Sequence, residues 1–346
     1  MSGRHRIGST QMRRLARRVL LTVCAMGLGV ALFLVDSIAL GGPGHGPEAT
    51  KRPVPGTVAA AAPRGAQEEL RKRLERDPGD WVAWAALGTT YVEQASRSGN
   101  PSTYPQAEAA FTESRRVGPP QANPQALTGQ ATLAAARHDF VAAAALATEA
   151  ATITGFNATT SGLLADALVE LGRYDEADAA LAKVADPTPD SATLARISYL
   201  RELRGDTAGA QEAMERSRAA AFSPAVAAFA SFRLGELAFN AGDLATAQMR
   251  YAESRLRDAS YLPALAGTAK VAAAHGEALA AVIAYRRVLD GLALPQYAAE
   301  VGDLLASLGR AEEAAQQYAL VAAQTQLIRA NSGRADLEAS LFAGPW

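Results

Sequence analysis

The feature that most constrains this chain is a glycine turn that recurs at a nearly constant spacing between apolar helical runs. In the stretch 172–177 the glycine follows a run rich in alanine and leucine, and acidic residues after it begin a second run. The turn returns at intervals of 33, 37, 34 and 33 residues, obtained by subtracting consecutive glycine numbers. The glycines are Gly172, Gly205, Gly242, Gly276 and Gly309. A helix–turn–helix unit repeated about every 34 residues predicts a helical solenoid, in which each unit packs on its neighbours.

Each unit also pairs a small residue with a larger one in its second helical run. An alanine stands five residues after each glycine, and a larger side chain stands four residues after the alanine. Residues at this spacing share one helix face, so the pair predicts a packing stripe against the partner helix. In the first of these units Tyr174 opens the second run. The alanines are Ala177, Ala210, Ala247, Ala281 and Ala314, and the larger residues are Leu181, Met214, Tyr251, Tyr285 and Tyr318.

This combination resembles the tetratricopeptide repeat family, and an earlier unit shows the family pattern best. The resemblance implies an all-α, right-handed superhelical solenoid of about seven helix–turn–helix repeats. An unrelated alanine-rich bundle is the alternative, but it would not need a small residue and a glycine turn at a fixed period. The residues of the earlier unit are Trp84, Gly88, Tyr91, Ala107 and Phe111.

The first two units depart from the family pattern in their turns. The offset from Tyr91 to Ala107 is 16 residues, where the family has about nine. We expect the surplus, around residues 96–104, to form an extended interhelical loop. In the second unit His138 stands where the other units have glycine.

The N-terminus has the pattern of a membrane segment. Residues 1–18 contain six arginines and no acidic residue, and residues 19–35 carry no charge. A basic flank before about 20 apolar residues is typical of a segment whose basic end stays in the cytoplasm. We therefore expect 1–18 to be a basic cytoplasmic flank and 19–40 a transmembrane signal anchor, with a cleaved signal peptide as the alternative. Either places the solenoid outside the cytoplasm, anchored at the plasma membrane or secreted.

The remaining segments follow from composition. Residues 41–64 are rich in glycine, proline and alanine, which predicts a flexible tether. The solenoid is expected over 65–330, with a C-terminal cap and tail over 331–346. The opening of the first repeat is also similar to membrane-tethered tetratricopeptide subunits of cytochrome c assembly systems. That likeness gives an alternative function, an assembly factor for an exported protein.

Charge and residue spacing argue against several function classes. Without the six arginines of the basic flank, 34 − 6 = 28 basic residues face 35 acidic ones, a net charge of −7. A nucleic-acid-binding protein needs a basic face, so we expect no nucleic-acid partner. None of the four histidines has a second histidine, cysteine or carboxylate at the spacing of metal ligands. We therefore expect no metal, no cofactor, no small-molecule substrate and no enzymatic activity.

The resemblance also implies where a partner would bind. In this family the first helix of each repeat lines a concave groove, so the expected ligand is a protein or a peptide. Carrying the groove positions over to the fourth and fifth units predicts an aromatic, acidic patch that grips an extended or helical peptide. The alternative is that Phe232 and Phe239 are interhelix packing residues. The patch consists of Tyr199, Glu202, Phe229, Phe232, Glu236 and Phe239.

Overall fold

The computed structural model describes residues 65–119, 123–184 and 188–332, and within them all the regular structure is helical. The all-α class predicted from the sequence is confirmed. The described residues form fifteen α-helices and one short 3₁₀ turn, Pro101–Thr103. The α-helices are α1 Ala66–Arg76, α2 Trp81–Ser98, α3 Tyr104–Val117, α4 Pro124–Ala136, α5 Phe140–Thr154, α6 Ala158–Glu170, α7 Tyr174–Ala182, α8 Ser191–Leu203, α9 Thr207–Ala219, α10 Pro224–Asn240, α11 Leu244–Arg257, α12 Leu262–Ala274, α13 Ala278–Leu289, α14 Pro295–Ser307 and α15 Ala311–Ser332.

Several sequence predictions fall outside the described residues. They are the basic flank 1–18, the signal anchor 19–40, the tether 41–64 and most of the C-terminal cap. In the described ranges, no helix combines the length and the apolar character that crossing a membrane requires.

The helices α2 to α15 pair in chain order into seven hairpins, which we number as repeats one to seven. The first helices of successive repeats also pack on one another, for example α2 on α4, α4 on α6 and α10 on α12. They therefore form one layer of the solenoid, which we call the inner layer, and the second helices form the other. Helix α1 precedes the first repeat and packs on α2, where Leu74 is buried in the same cluster as Leu87 and Tyr91.

The turn inside each repeat closes with left-handed backbone. The five predicted turn glycines have φ between 72° and 82°, a conformation that glycine adopts at little cost. In the turn of repeat three, the N–H of Arg173 reaches back to the C=O of Leu168 at 2.8 Å, as in a Schellman motif. His138 takes the same conformation, with φ 57°, in the turn of repeat two. The histidine therefore replaces glycine without changing the turn.

Aromatic side chains of the second helices fill the crevice between consecutive inner helices. A Cβ atom added to Gly88 or to Gly129 would lie 2.5 or 2.2 Å from the Phe111 ring. The Tyr251 ring meets Gly235 and Gly267 in the same way, with both distances 2.5 Å. Each ring thus packs on a glycine of its own repeat and on a glycine of the next repeat. The glycines are needed because any side chain would occupy the space of the ring.

The expectation of an extended loop in the first repeat is wrong. Helix α2 runs for 18 residues to Ser98, and Gly99 ends it in the left-handed conformation. The side chain of Asn100 then caps the 3₁₀ turn. The helix continues because Val92 and Ala95 are buried, so the surplus residues extend the inner layer before the chain turns.

We predict that Gly267→Ala lowers the free energy of unfolding by about 1 to 2 kcal/mol, because the new methyl group overlaps the Tyr251 ring. The cost of this overpacking exceeds the stability that alanine adds through its higher helix propensity. Gly267→Ala in a Tyr251→Leu background is the matched comparison, since leucine occupies this position in repeat three, at Leu181. Chemical denaturation of the four proteins measures the coupling. An equal loss in both backgrounds would contradict the ring packing.

Candidate protein-interaction surface

The structure divides the predicted patch into buried and half-buried side chains. Phe229 is buried in a core cluster with Met214 and Leu234. Phe232 is partly buried between two tyrosine rings, with centroid distances of 5.9 Å to Tyr251 and 5.7 Å to Tyr261. These two phenylalanines pack between helices, which is the alternative that the sequence left open for Phe232 and Phe239. Phe239 packs in part against the buried cluster that contains Tyr251.

Tyr199 and Phe239 are half-buried, and a cation lies against each ring. The guanidinium carbon of Arg233 is 5.7 Å from the Tyr199 centroid, and Lys270 Nζ is 4.5 Å from the Phe239 centroid. Both distances are within the range in which a ring face attracts a cation. The next repeat therefore supplies a positive charge to each of these two rings.

Three acid–base pairs join the inner helices of repeats three to six. In each pair a carboxylate of one repeat binds a cation of the next, with N–O distances of 2.8, 3.0 and 2.8 Å. The pairs are Asp166–Arg196, Glu202–Arg233 and Glu236–Lys270. We call these six residues the charge ladder. Because of it, Glu202 and Glu236 are not free carboxylates, and the negative charge predicted for the patch is largely neutralised.

The charge ladder becomes more exposed toward the C-terminus. The side chains of Asp166 and Arg196 are 7% and 6% exposed, whereas those of Glu236 and Lys270 are 16% and 25% exposed. The first pair is bidentate, since both Nε and Nη2 of Arg196 donate to the carboxylate. The buried end therefore joins two repeats, and the open end can meet a partner.

At the open end of the charge ladder, the surroundings shift the pKa values of Glu236 and Tyr251 in opposite directions. Burial alone would raise the pKa of Glu236, but Lys270, a 2.5 Å hydrogen bond from the Tyr251 hydroxyl, and Arg233 hold that pKa below its ordinary value. Burial and the charge of Glu236 raise the pKa of Tyr251, so its hydroxyl stays protonated.

Repeat seven adds two acidic side chains to the inner layer. Burial, and then the charge of Asp303, raise the pKa of Glu300, while Lys270 acts in the opposite direction. The hydroxyl of Tyr318 donates to Asp303 at 2.7 Å. Half-buried Glu300 thus carries a charge whose desolvation is not fully offset.

Asp166, Arg196 and Arg233 of the charge ladder were not identified from the sequence as site residues, and Lys270 was placed only at a groove position after the predicted patch. Each acid precedes its base by 30, 31 or 34 residues, obtained by subtracting their numbers, which is close to one repeat. A search for acids followed by bases at the repeat period would have found them. Elsewhere in the described part of the chain, no group of histidine, cysteine, aspartate or glutamate side chains could hold a metal ion.

We predict that Asp166→Ala lowers the free energy of unfolding by about 3 to 5 kcal/mol, because it leaves the buried Arg196 guanidinium without its carboxylate. Glu176→Ala is the matched control, since its pair with Arg173 is exposed and should contribute little. Urea titrations of both variants and the parent give the difference. Equal effects would show that burial does not set the strength of these pairs.

A pH series tests the open end of the charge ladder. The pKa of folded Glu236 lies below the ordinary 4.5, so its stabilisation is present above that value and is lost as pH falls through the folded pKa. The thermal midpoint of the parent should therefore fall more steeply below about pH 4.5 than that of Glu236→Gln.

Glu300→Gln provides a control of opposite sign. The pKa of folded Glu300 is raised, so the buried charge destabilises the parent at neutral pH and is relieved as pH falls. Acidification should therefore favour the parent relative to Glu300→Gln. The same sign for both variants would contradict these assignments.

Comparisons with known proteins support the repeat architecture. Residues 134–198, from the end of α4 into α8, match the tetratricopeptide repeat family. A comparison with curated protein sequences finds no significant match.

Solved structures with the same architecture cover most of the chain. Human IFIT1, solved as a dimer with PPP-AAAA, is 13% identical and has a TM-score of 0.56, covering 77% of this chain and 66% of its own. Cut9, from the APC/C hetero-tetramer Cut9–Hcn1, is 15% identical with a TM-score of 0.50 and covers 80% of this chain. The match spans only 51% of the Cut9 chain. At these identities the likeness shows the fold alone.

The repeat period, the left-handed turns and the aromatic packing thus agree with the family match in the middle of the array. Residues 134–198 thus match the tetratricopeptide repeat family, and the described residues on both sides of them continue the same helix–turn–helix architecture.

Proposed function

We propose that the protein is a non-enzymatic interaction scaffold whose inner layer binds a partner peptide across repeats four to seven. The observation that carries the proposal is a set of half-buried aromatic and charged side chains that share this layer. They are Tyr199, Phe239, Lys270 and Glu300. Rigid rings beside oriented charges are the composition of binding hot spots.

The charge of the inner layer favours a peptide with basic side chains. The first helices of repeats three to seven contain six acidic and four basic residues, a net charge of 4 − 6 = −2. The charge ladder neutralises three of the acids, and Glu300 stands at the C-terminal end of the layer. A basic side chain of the partner would offset the desolvated charge of Glu300, so complementarity predicts the peptide's orientation.

The structural neighbours offer two precedents. Cut9 forms a hetero-tetramer with Hcn1, whereas human IFIT1 was solved with PPP-AAAA. The net negative inner layer supports the first kind of partner for this chain, because phosphate groups require a positive surface.

The proposal places the scaffold on the outer face of the plasma membrane. Its support is the basic flank 1–18 before the apolar stretch 19–40, a pattern that keeps the flank in the cytoplasm. Secretion after cleavage of the N-terminal segment is the alternative, and the mass of the mature chain distinguishes the two.

Site-specific photocrosslinking in intact cells tests the binding surface. A photoreactive phenylalanine analogue at Phe239 should crosslink the partner, because that ring is part of the inner layer. The same analogue at Leu256, on the outer helix α11 and 87% exposed, is the control and should not. The same crosslinked protein from both positions, or none from Phe239, would refute the proposal. An exported haem protein as partner would favour the assembly-factor alternative.

Truncating the rings should weaken this partner's binding. We predict that Tyr199→Ala and Phe239→Ala each lower the affinity by roughly 30-fold, the equivalent of about 2 kcal/mol for a hot-spot residue. Leu256→Ala, on the outer surface, should leave it unchanged. Calorimetry with the crosslinked partner segment measures both effects, and circular dichroism confirms that each variant is folded.

A further inference from the structure

The two ends of the repeat array touch each other. The backbone N–H of Ala293, in the linker between repeats six and seven, donates to the C=O of Ser98 at 3.2 Å. The C=O of Ala293 accepts from Gln324 Nε2 of α15 at 3.1 Å. The joined positions are 293 − 98 = 195 residues apart, so this contact does not follow from neighbouring repeats.

Gly99 is fitted to the contact in two ways. Its φ is 68°, a conformation that disfavours other residues. A Cβ atom added there would also lie 2.9 Å from Leu294 Cδ2 and 3.2 Å from the backbone C and O of Ala293. Next to it, the 3₁₀ turn Pro101–Thr103 packs on α15. We call Ser98–Thr103 with Ala293, Leu294 and α15 the closing contact.

The closing contact joins opposite edges of the solenoid. In an array of alternating helices, the turns inside repeats lie at one edge and the linkers between repeats lie at the other. Gly99 belongs to the turn inside repeat one, whereas Ala293 belongs to a linker. The array therefore closes on itself with an axial offset: the linker edge of its last repeats contacts the turn edge of its first repeat.

The surplus residues of the first repeat make this closure. Helix α2 has 18 residues and α10 has 17, whereas α4, α6, α8, α12 and α14 have 13 each. The longer helix carries Ser98 and Gly99 to the opposite edge. The insertion thus has a structural role that a standard repeat could not fill.

The closing contact is weaker than the junctions between neighbouring repeats. Consecutive repeats pack whole helices against each other, whereas the closing contact has one backbone hydrogen bond between repeats and the packing of Leu294 and a short turn. A junction with few contacts is the first to open in a native protein.

We propose that the closing contact is a latch that gates the inner layer. When the closing contact is formed, the repeats make a closed loop, and only a chain segment narrow enough to thread through that loop reaches the inner layer. Open, the array admits a segment flanked by folded domains on both sides. The biological role of the gate rests on the proposed binding surface, but the gate itself is tested without a partner.

Cysteine labelling of the full-length chain measures access to the inner layer. With Cys24→Ser removing the single native thiol, Ala273→Cys places one thiol three residues after Lys270, on the same helix face. The probes are N-ethylmaleimide and a maleimide carrying a long polyethylene glycol chain. The ratio of the two rates reports the size of the opening and cancels changes in thiol reactivity.

Gly99→Leu should open the latch, and Gly205→Leu is its matched control. Gly205 has a similar φ of 79°, but no atom lies within 4 Å of an added Cβ. Both substitutions strain a turn, and only Gly99→Leu strikes the other end of the array. We expect Gly99→Leu to raise the relative rate of the bulky probe several-fold and Gly205→Leu to leave it unchanged.

Spin-label distances provide the second measurement. Labels at Ala109→Cys and Ala322→Cys, both exposed and on repeats one and seven, should move apart in the Gly99→Leu protein and keep their distance in the Gly205→Leu protein. An unchanged distance would refute the latch, and a longer distance with an unchanged labelling ratio would refute the gate.

A second variant removes contacts without adding bulk. Pro101→Ser, at the buried position of the turn that packs on α15, should give the same longer distance and the same rise in the labelling ratio, and it replaces Gly99→Leu if that protein fails to fold. Failure of the crosslinking experiment at Phe239 would leave both results standing, so the two proposals fail separately.

Discussion

The insertion of an aromatic ring between two glycines is the contact on which the junctions after repeats one and five depend. Phe111 and Tyr251 each occupy the crevice between the inner helix of their own repeat and that of the next. The ring therefore has its full packing only when the following repeat is present, so each repeat stabilises its neighbour. Repeat three carries Leu181 at this position, and there the guanidinium of Arg196 approaches Gly162 instead: a Cβ on Gly162 would lie 2.6 Å from Arg196 Cζ. The junction between repeats three and four thus has an ion pair and no ring, whereas the junction between repeats five and six has both.

This substitution links the packing of the array to its surface chemistry. At the Asp166–Arg196 pair the charges are buried and hold two inner helices together. At the Glu236–Lys270 pair the same arrangement is partly open, and Lys270 also lies over the Phe239 ring. The same kind of acid–base pair therefore joins two repeats at the buried end of the charge ladder and presents oriented charges on the surface at the exposed end. Burial decides between the two roles, because the attraction between charges strengthens as water is excluded.

The sequence contained the architecture but not the partners of its charges. Period and turn chemistry are local, so the positive φ at Gly172, and even the exception at His138, could be read from single residues and their spacing. Whether the charges of Glu202 and Glu236 are neutralised depends on basic residues one repeat away. The groove register alone does not show that those residues are close enough to pair. The burial of Phe229 was missed for a related reason: a one-residue change of register on a helix turns a side chain by about 100°, from the groove to the core.

The closing contact is even harder to predict from local sequence than the charge ladder. Its position depends on the rotation and rise between repeats, accumulated over the junctions that separate repeat one from repeat seven. A small change at any aromatic ring or ion pair along the array shifts Ala293 relative to Ser98, and a hydrogen bond of 3.2 Å tolerates little displacement. The formation of the closing contact therefore depends on the rotation and rise at every junction of the array. A peptide that changed the angle between two inner helices would act on the latch without touching it, since the accumulated rotation couples the two sites.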